Sequence, residues 1–296
     1  MNTDSPIAII DIGSNSVRLV VFEHPYIGER PIFNEKVQCG LGQDIDSTGL
    51  LHPEAKKRTL QTLGGFTSLC AAMNIGTIIP IATAALRDAR DGPDFVQDIK
   101  NKTGLDVNII SGEDEALYSG LGVLSAAPSA KGVAGDLGGG SLELATLSEG
   151  AVQNVISLPV GVLRILGKKE QAQDYLDHHL STISDAFLNR ANFYIIGGTW
   201  RALTYAYVMN AGKKLPSIRG YKMKAENLAP FAAQIAQQSP QELISIYHFE
   251  HKRAELLPSA ALLMQKLLPL LKPKNVIVST NGLRDGLLRA HLDGTL

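Results

Sequence analysis

The stretch DIGSNSVRL at 11–19 reappears, altered but in the same register, as DLGGGSLEL at 136–144. Aspartate, glycine, serine and leucine recur at matching offsets: Asp11, Gly13, Ser16 and Leu19 against Asp136, Gly138, Ser141 and Leu144. In each copy an apolar run leads into the aspartate, and a second apolar run resumes after the glycine-serine turn. Ile7 to Ile10 and Ser16 to Phe22 flank the first copy, Val133 to Asp136 and Leu142 to Leu147 the second. Each copy therefore reads as two strands around a tight polar turn. A self-match at so long an interval predicts two related units, each starting on such a hairpin, with a cleft between the turns.

The composition of these turns has a direct chemical reading. Glycine and other small residues let backbone N–H groups come close to an anion, and Ser and Asn side chains add donors. An aspartate at a strand end suits a hydrated Mg²⁺, which is bound through oxygen and water. Two such turns facing each other would clamp a phosphate chain and its metal. Read without a ligand, the same residues are simply two tight hairpins.

Outward from the repeat, strands and helices alternate, which predicts an α/β class. Pro53 to Met73 has helical periodicity, with Leu60, Leu63, Phe66, Leu69 and Cys70 on one side. Thr77 to Ala82 and Val107 to Ile110 read as strands, Gly92-Pro93 as a breaker, and Asp94 to Thr103 as a helix. A helix starts at Ser111 and runs to about Leu124, with Glu113, Asp114 and Glu115 in its opening turn, where acidic groups also complement the helix dipole. The small-residue stretch Ala126 to Gly132 marks a boundary between units 1–125 and 126–296. In the second unit, Tyr194 to Ile196 and Asn275 to Ser279 are strands, and Leu256 to Leu271 and Arg284 to Leu292 are helices; the last has the option of returning to the first unit.

The chain has 296 residues, with 28 Lys plus Arg against 29 Asp plus Glu, so the net charge is −1. That balance gives no support for a nucleic-acid partner; an anionic substrate would need a local basic site. Cys39 and Cys70 lack a metal-ligand spacing and are expected to be reduced, buried thiols. Met1 to Pro6 shows no signal-peptide pattern, and no apolar run reaches about 18 residues, so no membrane span is expected and the cytoplasm is the default compartment.

Five stretches together resemble the exopolyphosphatase and guanosine pentaphosphate phosphatase family. They are AIIDIGSNSVRLVV (8–21), IATAALRDA (81–89), IISGEDEALYSGLGV (109–123), GDLGGGSLEL (135–144) and STNGLRDGLL (279–288). They are spread over nearly the whole chain, and the two turns combined with the central SGEDEA are specific. The resemblance implies two actin-like (ribonuclease H-like) domains, the superfold of sugar kinases, Hsp70 and actin, with a cleft between them. It implies Glu115 as the carboxylate that activates water, and Arg87 as an arginine on the reacting or adjacent phosphate. Asp11, Asp136 and Glu143 would hold Mg²⁺, with Mn²⁺ as the alternative, Glu143 also counting among the catalytic groups. Ser14, Asn15, Gly138, Gly139, Gly140 and Ser141 would be the two phosphate loops. It also implies a homodimer.

The longer relatives continue past the closing helix into a helical region resembling HD-type domains, so this chain resembles the short form. Arg18 and Arg90 are further candidates for the cleft. Gly197-Gly198-Thr199 reads either as backbone contacts for a nucleoside or as a packing turn. Trp200 and Arg201, larger than expected after it, would reshape or block that pocket. GVLRILGKK (161–169) has the wrong spacing for a Walker loop, and the pairs His178-His179 and His248/His251 lack acidic or cysteine partners nearby in sequence. The leading expectation is Mg²⁺-dependent release of orthophosphate from the end of inorganic polyphosphate. The alternatives are guanosine pentaphosphate hydrolysis, with the alarmones as substrate or inhibitor, a non-catalytic polyphosphate or alarmone sensor, and a small-molecule kinase of the same superfold.

Overall fold

The computed structural model describes residues 6–23 and 31–296, so the reading of Met1 to Ser5 lies outside the described residues. The strands form two mixed sheets. The first contains β1 (Ile7–Ile12), β2 (Ser16–Phe22), β3 (Phe33–Gln38), β4 (Thr77–Ala82) and β5 (Asn108–Ile109), in the order β3-β2-β1-β4-β5. The second contains β6 (Gly132–Leu137), β7 (Leu142–Ser148), β8 (Ala151–Leu158), β9 (Asn192–Ile196), β10 (Lys222–Lys224) and β11 (Asn275–Val278), in the order β10-β11-β9-β6-β7-β8.

The two orders are one pattern used twice. β1 is antiparallel to β2 and parallel to β4, and β6 is antiparallel to β7 and parallel to β9. β3 and β8 extend the antiparallel side, β5 and β11 the parallel side. The sequence repeat is therefore a repeat of topology, and the chain has the α/β fold of two actin-like units. In register, Asp11 lies opposite Arg18 and Asp136 opposite Glu143.

Sequence reading missed β3, β8 and β10. All three are edge strands, and in β3 the polar residues Asn34, Glu35 and Lys36 break the apolar alternation. Gly92-Pro93 does not break a helix but opens one, Gly92–Thr103, with proline at its first turn, where a missing N–H costs nothing. The helix His251–Leu271 is long and apolar enough to cross a membrane by length and composition alone. Its apolar residues, from Leu257 through Met264 to Leu271, are instead buried in the larger hydrophobic core. Cys39 and Cys70 are free and buried.

Two helices tie the sheets together by crossing over. The helix Gly112–Ala126 follows β5 of the first sheet, yet Val123 and Leu124 pack with Ala134, Ala145, Leu147 and Ile196 of the second. The closing helix Leu283–Leu292 follows β11 of the second sheet, yet Leu283, Leu287 and Leu288 pack with Ile7, Ile9, Val20 and Ile81 of the first. Where the two helices meet, their backbones touch. A Cβ on Gly122 would stand 2.1 Å from the carbonyl oxygen of Gly282, and one on Gly286 would stand 1.7 Å from that of Tyr118. Only glycine permits this approach, and neither backbone can yield without moving a sheet. Gly286→Ala is accordingly expected to destabilise the chain by about 3 kcal/mol. The measurement is the denaturant midpoint at constant slope; a midpoint equal to wild type would show that the helices can separate freely.

Candidate active site

The two glycine-serine turns face each other. A Cβ on Gly140 would meet the Ser14 hydroxyl at 2.8 Å, and one on Gly139 would meet the Ser14 Cβ at 3.2 Å. Each turn is closed by the same hydrogen bond: Gly13 N–H donates to Ser16 O, and Gly138 N–H to Ser141 O, both at 3.0 Å. Each is braced from behind. Cys39 and Gly40 N–H groups donate to Asn15 O and Gly42 N–H to Ser14 O, while Val162 and Leu163 N–H groups donate to Gly138 O and Gly139 O. The last two come from the GVLRILGKK string, which buttresses the second turn. Across the same junction Lys168 and Arg164 of the second unit pair with Asp46 at 3.1 and 3.6 Å, and Arg164 also bonds Asp88.

Between the turns lies a cleft of about 180 Å³. Its lining includes all the predicted loop residues, Ser14, Asn15, Gly138, Gly139, Gly140 and Ser141, together with the four carboxylates Asp11, Glu115, Asp136 and Glu143. Of the three acids that open the helix Gly112–Ala126, Glu113 and Asp114 face solvent and only Glu115 is buried, at 8% exposure. The helix starts at the N-cap Ser111, whose hydroxyl accepts from Asp114 N–H at 3.0 Å.

The acids are held on hydroxyls. Ser119, one turn after Glu115, donates to Asp136 Oδ2 at 3.0 Å. Ser157 of β8 donates to Glu143 Oε1 at 2.8 Å. Burial pushes the Glu115 carboxyl well above the usual carboxylate range, Glu143 raises it further, and Arg87 opposes both. Burial, opposed by the Ser141 and Ser157 hydroxyls, raises Glu143 to about 7. Burial also raises Asp136, with the Ser119 hydrogen bond acting against it. These carboxylates are short of positive charge.

Among the described residues no three His, Cys, Asp or Glu side chains converge on a common ligating point. That argues against an all-protein cage. Mg²⁺, however, is commonly held by one or two carboxylates, with water and substrate phosphate completing the shell. The hard oxygen donors of Asp11, Asp136 and Glu143 around a charge-starved cleft fit that mode.

Arg87 does not line the cleft; it stands behind Glu115. Its Nη1 donates to Glu115 Oε2 at 3.2 Å and to Ile110 O at 3.1 Å, and its Nε lies 3.7 Å from Asp88. Arg90 is farther off, donating to Thr48 O at 2.8 Å. The cations that do line the cleft are Arg18, Lys36, Arg201 and Arg284. Arg284 reaches back from the closing helix to Asp11 Oδ2 at 2.5 Å, and Arg18 Nε donates to Asn34 Oδ1 at 2.8 Å. Arg18 is pushed down to about 10, first by burial and then by Arg284 and Arg201. Lys36 is lowered by burial, then by Arg18 and Arg284. Cations that repel one another along one wall fit an anionic ligand.

Sequence reading weighed Arg18 but not Lys36 or Arg284 as individual cleft residues. Lys36 pairs in register with Arg18 through an edge strand that the sequence pattern did not reveal. Arg284 sits inside the STNGLRDGLL stretch and becomes relevant only because its helix crosses back to the first sheet. Gly197 to Thr199 line the cleft, with Gly197 at φ 105° and its Cβ position 2.5 Å from Leu137 O. Trp200, expected to reshape or block that pocket, does neither. It is fully buried, its indole donates to Ala260 O at 3.2 Å, and it packs edge-on to Phe193. Arg201 is the residue that enters the cleft.

Comparison with known proteins agrees with this geometry. An exopolyphosphatase 1 from Mycobacterium leprae is 24% identical over 97% of this chain and 89% of its own length. A bifunctional 3-dehydroquinate synthase/phosphatase from Fusobacterium nucleatum is 26% identical over 97% of this chain, which spans only 46% of that protein. Among solved structures, an exopolyphosphatase from Cytophaga hutchinsonii superposes with a TM-score of 0.87 and the Aquifex aeolicus Ppx/GppA family member with 0.81. Each is 24% identical and covers 99% of both chains, a likeness of fold. The Ppx/GppA phosphatase family model matches residues 20–294, nearly the whole chain, and the chain belongs to that family.

Proposed function

We propose that the chain is an exopolyphosphatase that removes the terminal phosphate of inorganic polyphosphate. The observation that carries this reading is the polarity of the cleft. Buried Glu115 and Glu143 and half-buried Asp136 line it together with the half-buried Arg18, Arg201 and Arg284 and the exposed Lys36, the acidic and basic sets meeting at the Arg284–Asp11 pair beside the two turns. A chain of phosphates whose last unit reaches the acidic set would satisfy both.

In this reading the backbone N–H groups of Gly139 to Ser141 and the donors of Ser14 and Asn15 hold the terminal phosphate. Glu115 holds a water in line with the terminal bridging bond. Its raised affinity for a proton suits it to act as base: the water oxygen bonds to phosphorus, its proton passes to Glu115, and the bridging P–O bond breaks. Orthophosphate and a chain one unit shorter result, with the new terminal charge facing the cationic set. Arg87 fixes the Glu115 carboxylate and keeps its proton affinity from rising further. Mg²⁺ or Mn²⁺, held by Asp11, Asp136 and Glu143 through oxygen and water, would supply neutralisation of charge on the terminal phosphate.

Guanosine pentaphosphate is the second reading, supported by the Gly197 to Thr199 turn in the cleft wall. It offers the same terminal bond on a nucleoside. The cations Arg18, Lys36, Arg201 and Arg284 suit a long polyanion better than a base. We therefore expect kcat/KM to be higher on polyphosphate, measured as phosphate release on both substrates; a clear preference for the nucleotide would reverse the assignment.

Glu115→Gln keeps the shape of the side chain and removes the base. It should lower kcat by about a hundredfold or more with little change in KM; an unimpaired variant would exclude Glu115 as the base. Ser119→Ala, which frees Asp136 from its hydroxyl, should lower kcat about tenfold, and Ser119→Thr should restore it. Melting temperatures close to wild type would separate this loss from unfolding.

A further inference from the structure

A second cavity, of about 240 Å³, adjoins the cleft. It shares Arg18, Arg201, Thr280 and Arg284 with the cleft, so the two are continuous and three arginines stand at their junction. Beyond the junction the walls come from β2, from Asn34 of β3, from Arg219, and from Asn281 and Asp285 at the start of the closing helix. Arg219 lies outside the catalytic cleft, is exposed, and has no carboxylate partner among the described residues.

The acid in this cavity is already engaged. Asp285 accepts from Gly282 N–H at 2.9 Å and from Asn281 Nδ2 at 3.0 Å, capping the closing helix. Its charge still acts on Arg18 and Arg284, and Arg284 pairs with Asp11, but Arg18, Arg201 and Arg219 have no carboxylate within ion-pair distance among the described residues. Arg18 is further oriented by Asn34, which itself lines the second cavity. Guanidinium groups spaced along a channel match phosphate oxygens with paired N–H donors, and they do so wherever along a chain the phosphates fall.

We propose that the second cavity is a distal subsite for the inner phosphates of a polyphosphate chain, and that Arg219, at its outer end, sets the preference for chain length. This rests on the exopolyphosphatase reading of the cleft. Tripolyphosphate would fill the catalytic cleft without reaching Arg219, whereas a long chain would pass the arginine junction and engage it. The gain from length would be one of binding, read in KM and not in kcat.

The test compares Arg219→Gln and Arg219→Lys with the unaltered residue. Binding is read by calorimetry in the Glu115→Gln background, where no turnover is needed, and KM in the active enzyme. Arg219→Gln should weaken long-chain polyphosphate about tenfold and leave tripolyphosphate within about twofold, with Arg219→Lys intermediate. The dependence of long-chain KM on salt should also become shallower, as one charge contact is lost. Equal weakening on both chain lengths, no weakening on either, or weakening confined to guanosine pentaphosphate would each overturn the subsite. If the active enzyme released no phosphate from any chain, the exopolyphosphatase reading would fail, while the calorimetric comparison would still decide whether Arg219 holds polyphosphate.

Discussion

Contact between two helix backbones governs the rest of this molecule. The helices Gly112–Ala126 and Leu283–Leu292 each leave one sheet and pack on the other, and glycines at 122 and 286 let them touch without intervening side chains. Because the crossing is so close, the position of one sheet relative to the other is set by backbone geometry. The helix that follows the first sheet is thereby pressed onto β7 and β8 of the second. That places Glu115 and Ser119, one turn apart, against Glu143 and Asp136 on the facing hairpin.

Burial of these acids is unfavourable in the absence of a ligand. Asp136 raises the proton affinity of Glu143, and Glu143 that of Glu115, while hydroxyls together with Arg87, Arg284 and Arg201 offset the effect. The cations of the cleft have the opposite problem. Both arrangements are unfavourable for stability alone, and groups perturbed in this way fit a ligand site. An anion supplies what the cations lack, and a hard cation accompanying it supplies what the carboxylates lack.

The first unit contributes differently from the second. It brings Asp11, Ser14 and Asn15 on its own hairpin, braced by residues 39–42, and Arg87 behind Glu115. Ion pairs from Arg164 and Lys168 to Asp46 and Asp88 hold this hairpin against the second turn, with Ser14 almost in contact with Gly139 and Gly140. The first turn thus depends on contacts across the junction, while Glu143 is secured by Ser157 within the second sheet and Asp136 by Ser119 of the crossing helix.

The repeated hairpin was legible in the sequence because it is local. Strand, turn and strand lie within Ile7–Phe22 and Gly132–Ser148, and glycine and serine are restricted by the turn itself. The two-unit α/β architecture and the loop residues followed from it, and the carboxylates at 11, 115, 136 and 143 stood in the quoted stretches. Which of Glu113, Asp114 and Glu115 turns inward was a matter of helix phase against a distant sheet, and the family resemblance singled out Glu115 where local pattern did not. The cationic wall was decided only by tertiary structure. Lys36 needs the pairing of a polar edge strand, Arg284 needs a helix that crosses to the other sheet, and Arg87 is drawn away from the cleft by Glu115. Long arginine and lysine side chains carry no periodic signal, since their position depends on whatever charge lies within reach after folding. The sequence determined the two turns and their acids through local backbone constraint; the fold decided which cations face them, because electrostatic partners are chosen across space and not along the chain.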